Sequence, residues 1–287
     1  MISRRWLSLL LALLLLLPAA ALASSTDVVK NVTTDQTYTS LDVAVSAASA
    51  GDTLELLADV TMDGHLSIPS KARLTLDLGD NTLNLGNYSI KMDAPDAALT
   101  LRAAGGRISG SGAPCFDISA GTLNILSGTY QSDVAVIRTV EGVITVSGGT
   151  LAGGTASSGN RRTIYSYGAS KIRLGNNAAV TNANDACVSL YGGDLTISGN
   201  VSLSGVYGVA LFNHDKANTS TSIHSSVTMT GGTVRATKYF ALSGNNRLSA
   251  QSNVVITGGS LSSPPDCTAI YWPMEGTLTI GGTASVT

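Results

Sequence analysis

The sequence predicts an all-β chain folded as a parallel β-helix of about nine short coils. Two observations carry that prediction. A strand-and-turn phrase recurs as Ile144-Thr145-Val146-Ser147-Gly148-Gly149-Thr150, Val227-Thr228-Met229-Thr230-Gly231-Gly232-Thr233 and Val254-Val255-Ile256-Thr257-Gly258-Gly259-Ser260, with looser copies at Leu99–Leu101, Leu123–Ile125, Leu195–Gly199 and Leu278–Thr283. The repeat strand begins at Leu74, Leu99, Leu123, Ile144, Ile172, Leu195, Val227, Val254 and Leu278, in steps of 25, 24, 21, 28, 23, 32, 27 and 24 residues. A period in the twenties marks either a β-helix or a leucine-rich repeat. A leucine-rich repeat would add a helical stretch and an Asn ladder to each unit. Here each unit is almost all short β runs and glycine turns, and no segment after residue 60 sustains helical periodicity.

Composition narrows the function classes. Net charge is −2 and only 13% of residues are charged, against roughly 25% in an average soluble domain. No basic patch of the kind that binds nucleic acid is present, and no acidic tail. The 31 glycines and abundant Ser and Thr suit stacked strands with tight turns.

Residues 1–23 read as a signal peptide: Arg4 and Arg5 lead the apolar run Trp6 to Leu17, Pro18 breaks it, and Ala21-Leu22-Ala23 is a small-x-small cleavage site. The expectation is an exported chain, secreted or held at the cell surface, that begins at Ser24. The apolar run is shorter than the ~20 residues of a membrane span, and no later segment reaches that length. Residues 24–37 are expected to be an extended leader. Ser40 is placed to cap a helix with its hydroxyl. Leu41, Val45 and Ala48 share one helical face, and Gly51 is placed to close the helix. The strand Thr53–Leu57 follows, so residues 38–57 form a cap and residues 58–287 the β-helix. The cap would cover backbone and apolar edges that the first coil otherwise exposes.

Each coil is expected to hold three strands and so to build three sheets. The first is the repeat strand. The second follows the glycine turn, as Thr150-Leu151 or Thr233-Val234. The third has the signature Cys-x-x-(Ile/Leu), at Cys115–Ile118, Cys187–Leu190 and Cys267–Ile270. Insertions fall at Thr155–Arg162 and at Asn213–Ser226, which holds His214, Asp215, Lys216 and His224. The cysteines lie at one phase of coils three apart. At ~4.8 Å per coil they would be about 14 Å from one another, beyond the ~7 Å Cα limit of a disulfide, so three free thiols are expected. Leu278–Thr287 has no closing coil, and the expectation is a fragment or an end that pairs with a second copy.

Aligning the third strands on Ile118, Ile137, Ile164, Leu190, Leu211, Leu242 and Ile270 makes the next residues an outward column: Ser119, Arg138, Tyr165, Tyr191, Phe212, Ser243 and Tyr271. Tyr167 and Trp272 lie beside it. Tyr165, Tyr167, Tyr191, Phe212, Tyr271 and Trp272 are therefore the candidate ligand-binding residues, a ladder of rings on which apolar sugar faces would stack.

Tyr38–Val45, Gly51-Asp52-Thr53-Leu54 and Leu74-Thr75-Leu76-Asp77-Leu78 resemble the N-terminal part of pectin-lyase-like right-handed β-helix proteins, most similar to exported surface proteins of gut Firmicutes. The resemblance extends over most of residues 38–287. It implies right-handed coils and a superfamily of lyases, hydrolases, carbohydrate binders and adhesins. The pectin hydrolase motifs are missing here: the chain has no Asp-Asp pair, His65 is followed by Leu66, and Lys171-Ile172-Arg173 reverses the Arg-x-Lys order. Asp117, Asp133, Glu141, Asp185, Asp194, Asp215, Asp266 and Glu275 are scattered over different coils. No catalytic residue, metal ligand or cofactor is assigned. Asp77, Asp80 and Asn81 read as a self-bonded turn, and His65, His214 and His224 lack ligand spacing. The expected function is non-catalytic carbohydrate binding or adhesion, with a polysaccharide or cell-surface glycan as partner. The alternatives are a polysaccharide lyase or glycoside hydrolase, and a structural surface stalk.

Overall fold

Backbone pairing between successive coils sets the architecture. The computed structural model describes residues 26–157, 161–212, 224–244 and 252–287, so the signal-peptide segment, His214, Asp215 and Lys216 lie outside the described residues. The chain forms a parallel β-solenoid of about nine turns, 52% strand, with a single helix among the described residues.

Three parallel ladders run along it. The first stacks Leu54, Leu76, Leu101, Ile125, Val146, Leu174, Ile197, Met229, Ile256 and Ile280 in register. The second stacks Val60, Leu83, Ile108, Tyr130, Leu151, Val180, Leu203, Val234, Leu261 and Val286. The third stacks Leu66, Ile90, Phe116, Ile137, Ile164, Val188, Val209, Leu242 and Ile270. Nearly all of these side chains are buried in one continuous core. The rise of one coil brings like residues onto like, so each position is an aliphatic column. Burying each such side chain contributes ~1.5–3 kcal/mol. The columns lose cover at the last coil, where Ile280 is 46% and Val286 40% exposed.

The N-terminal cap differs from the expected leader. The described part of that segment holds a hairpin rather than a simple extension: β1 (Val29–Asn31) and β2 (Gln36–Tyr38) pair antiparallel. β1 also pairs antiparallel with β3 (Thr53–Leu56), the first strand of the first ladder. An antiparallel strand occupies that edge without extending the parallel stack, which ends the ladder. Helix α1 (Leu41–Ala47) buries Leu41, Ala44 and Val45 against it. Asn31 is buried and donates through Nδ2 to Asp52 Oδ2 at 2.7 Å, while its Oδ1 accepts from the backbone of Thr33 and Thr34. Asp52 also accepts from the Ser49 N–H at 2.8 Å. Ser40 occupies the N-cap position, but its hydroxyl makes no capping bond. Gly51 does not close the helix, which ends at Ala47. It has φ +98° and donates to the Arg73 carbonyl at 2.7 Å, starting the first coil instead.

The three cysteines are free. Cys115 and Cys187 do share a phase, each preceding its third-ladder strand, but Cys267 stands two residues ahead of that phase, because Ile270 pairs with Leu242. The buried thiols point at carbonyls of Gln131 and Val180. Burial pushes both up to about 12 from an ordinary 9.0, with the Asp133 carboxylate adding to the effect at Cys115. The Cys267 thiol is half-buried.

Three outcomes follow from this packing. Gly149 has φ +83°, and a Cβ there would lie 2.6 Å from the Gly128 carbonyl oxygen; at Gly51 a Cβ would meet nothing within 4 Å. Gly149→Ala should lower unfolding free energy by ~1–3 kcal/mol in urea denaturation, and by more than Gly51→Ala. In the native protein iodoacetamide should label Cys267 well before Cys115 or Cys187 when read by mass spectrometry. The buried thiols hold their protons more tightly folded than unfolded. The part of the stability that these two thiols contribute should therefore be fully present below pH 9.0 and be lost as pH rises towards 12.

Candidate functional site

The third-ladder register rearranges the aromatic residues. Tyr165 pairs with Arg138 on one side and Ser189 on the other, and the column continues through Ala210 and Ser243 to Tyr271. The single column expected from the sequence is therefore two, offset by two residues on the same outward face. Each third-ladder strand has two inward positions. In Phe116–Ile118 and Val188–Leu190 both are apolar. In Ile137–Thr139 and Ile164–Ser166 the second is Thr139 or Ser166. These hydroxyls are buried but satisfied: Thr139 Oγ1 lies 3.0 Å from Ser170 Oγ, and Ser166 Oγ donates to the Gly192 carbonyl at 3.0 Å. A polar residue in an inward position hid the true alignment.

Tyr167, Tyr191 and Phe212 form the second column at the coil corner. Tyr167 and Tyr191 stack at 5.6 Å and 24°, Tyr191 and Phe212 at 4.8 Å and 13°. Tyr165 does not stand free beside them. It is 3% exposed, with its ring 4.1 Å from Tyr167 and edge-on to Tyr191 at 5.2 Å. The Arg162 guanidinium sits 5.5 Å from the same ring. Burial, then a hydrogen bond with Tyr167, holds the Tyr165 phenol far above its ordinary range. Tyr165 is thus a packing centre for the outer face, which corrects its reading as a contact surface. Trp272 packs partly buried against the core.

A second aromatic group begins on the coil that carries Phe212 and extends over the next two. Tyr207 stacks on Tyr239 at 4.9 Å and 24°, and Phe240 stacks on Tyr271 at 4.9 Å and 18°. Lys238 sits 4.9 Å from the Tyr239 ring. Burial and the neighbouring Tyr239 raise the Tyr207 phenol. Between the two aromatic groups runs a groove of about 410 Å³ lined by Tyr207, Phe212, Phe240 and Tyr271, with Ala210, Ser243 and Gly244 also lining it. Ala210 and Ser243, which line the groove, stand between Tyr165 and Tyr271 in their column. Tyr271 is 42% exposed and Tyr167 39%.

Arg162 and Asp185 complete the groove's lining. Arg162 Nε lies 3.4 Å from Asp185 Oδ2, and its guanidinium is 5.3 Å from the Phe212 ring. Asn182 holds both in place. It is 5% exposed and donates through Nδ2 to the Arg161 carbonyl and, at 3.0 Å, to Thr163 Oγ1. Its Oδ1 accepts from the backbone N–H of Asn184 at 3.0 Å and of Asp185 at 2.6 Å. One buried amide therefore ties the segment that carries Arg162 to the one that carries Asp185. Sequence reasoning missed Arg162, Asn182, Tyr207, Tyr239 and Phe240 as site residues. Tyr239-Phe240 was visible as an aromatic pair, but it falls just before its third-ladder strand, outside the aligned column.

Among the described residues no three His, Cys, Asp or Glu side chains gather to hold a metal ion. Asp77 accepts from the Gly79 N–H at 3.0 Å and from Arg102 Nε at 2.8 Å, and Asn81 Nδ2 donates to the Leu56 carbonyl. His65 Nδ1 accepts from the Ser89 N–H. No family model, curated protein or solved structure matches the chain, so the coil architecture is what the structure shares with β-helix proteins.

Packing and contact roles separate by mutation. Tyr165→Ala should cost ~3–5 kcal/mol, in the range of buried aromatic truncations. Tyr271→Ala should cost about 1 kcal/mol, the worth of one stacked pair. Paired urea melts check the difference.

Proposed function

We propose that this protein binds carbohydrate without cleaving it, in the groove between the two aromatic groups, as an exported or cell-surface β-helix protein. The observation that carries the reading is the groove lining: four rings around small residues, with an ion pair completing it. Pyranose rings have apolar C–H faces that stack on aromatic faces and hydroxyl edges that need polar partners. Tyr271, Phe240 and Phe212 supply the first; Arg162, Asp185 and Ser243 supply the second. The groove follows the stacking direction, so successive sugars of a linear chain meet successive coils.

Binding is favoured over cleavage by the carboxylate geometry. Most glycosidic hydrolysis uses two carboxyl groups flanking the scissile bond. The described lining offers Asp185, which is engaged with Arg162. Export is supported by residues 1–23, and a place among carbohydrate-handling pectin-lyase-like proteins by the cap-and-coil sequences that resemble them.

The test is a glycan array followed by calorimetry on the best hit. Phe240→Ala and Tyr271→Ala should each lower affinity about tenfold, one stacking contact being worth ~1.4 kcal/mol. Catalytic turnover of the bound glycan, or affinity unchanged in both variants, would contradict the reading.

A further inference from the structure

We propose that the outer face of the first ladder carries a second site, separate from the aromatic groove, that binds an oxyanion group borne on a glycan through Lys171 and Arg173. The strand Lys171–Leu174 alternates exposed and buried residues. Ile172 and Leu174 enter the core, so Lys171 and Arg173 both project outward, ~6–7 Å apart along the strand. The next coil places Asp194 beside Lys171 and Thr196 beside Arg173, and the one after adds Ser226 and Thr228. These six side chains line a polar groove of about 350 Å³.

The cations are available. Arg102, Arg138 and Arg162 each meet a carboxylate, Asp77, Asp117 and Asp185, at 2.8, 2.8 and 3.4 Å. Arg173 meets threonines instead: Thr145 on one neighbouring coil and Thr196 on the other. Lys171 has Asp194 in register, but Asp194 Oδ1 accepts from Ser226 Oγ at 2.5 Å. Among the described residues, neither the Lys171 nor the Arg173 side chain has an ion-pair or hydrogen-bond partner. A guanidinium, an ammonium and hydroxyl donors facing one groove match the acceptor oxygens of a sulfate, phosphate or carboxylate. The patch carries +2 from Lys171 and Arg173 and −1 from Asp194, so +1, on a chain whose net charge is −2. A polyanion is disfavoured by the chain as a whole, and its binding must therefore be local.

Dextran sulfate, dextran phosphate, carboxymethyl dextran and neutral dextran share one backbone and identify the anion. With the full chain at low salt, calorimetry should show binding of at least one charged dextran and none of the neutral polymer, weakening as salt rises. Arg173→Gln and Lys171→Gln should each weaken that binding about tenfold, and Asp194→Asn should strengthen it. Arg235→Gln, an exposed cation on the second ladder, and Tyr271→Ala should leave it unchanged. The last control separates this site from the aromatic groove. Failure of every charged dextran to bind, wild-type binding by Arg173→Gln, or equally tight binding of duplex DNA would overturn the proposal. Melting curves of the exposed-residue variants should superimpose on wild type, so lost binding reports the site and not unfolding.

Discussion

Coil-to-coil hydrogen bonding in the three ladders is the constraint on which the rest of the molecule depends. A parallel strand's N–H and C=O groups are satisfied only by a neighbour held in register. Once that register holds, every inward position repeats as a column and every outward position does too. The core is therefore long and thin, with Leu, Ile and Val stacked on their counterparts. Shifting one strand by a single residue would turn its aliphatic set outward and its polar set inward. The cap answers the same constraint at one end: β1 pairs antiparallel with β3, and a buried Asn31–Asp52 contact fastens the hairpin to the turn that starts the first coil.

Because the scaffold repeats, the surface changes character where the repeat is broken. A column of large outward residues would make a ridge. Small residues at Ala210 and Ser243 on the intermediate coils leave a groove with aromatic sides. Arginines follow a similar logic. Where the register puts a carboxylate opposite, as Asp77 faces Arg102 and Asp117 faces Arg138, the charge is engaged within the wall. Where it puts threonines opposite, as around Arg173, the charge faces outward. The glycine-turn phrase that dominates the sequence is thus scaffold, and both proposed binding surfaces lie in the columns between turns.

Much of the fold was legible because coil repetition writes the same apolar pattern many times. The strand starts, the three strands per coil and the short helix Leu41–Ala47 were all readable. The hairpin before the helix was not, since its five-residue spacing and polar composition carry no β alternation. The aromatic face was half legible. Tyr167, Tyr191 and Phe212 do stack on consecutive coils, but aligning on aliphatic residues put Tyr165 in their column. Thr139 and Ser166, buried through local hydroxyl bonds, imitate outward residues in a one-dimensional pattern. The Arg162–Asp185 pair was illegible for a different reason. It joins positions 23 residues apart, one in an insertion and one in a strand, through the Asn182 amide.

On the proposed function, the break in the aromatic column is a binding groove and not only a packing motif. The most direct measurement is a crystal structure of the protein soaked with an oligosaccharide fragment of whichever glycan binds. Sugar rings should lie along the stacking direction, against Phe240, Tyr271 and Phe212, with hydroxyls at Arg162 and Asp185. Electron density for the sugar elsewhere on the protein, with the aromatic groove empty, would contradict the account.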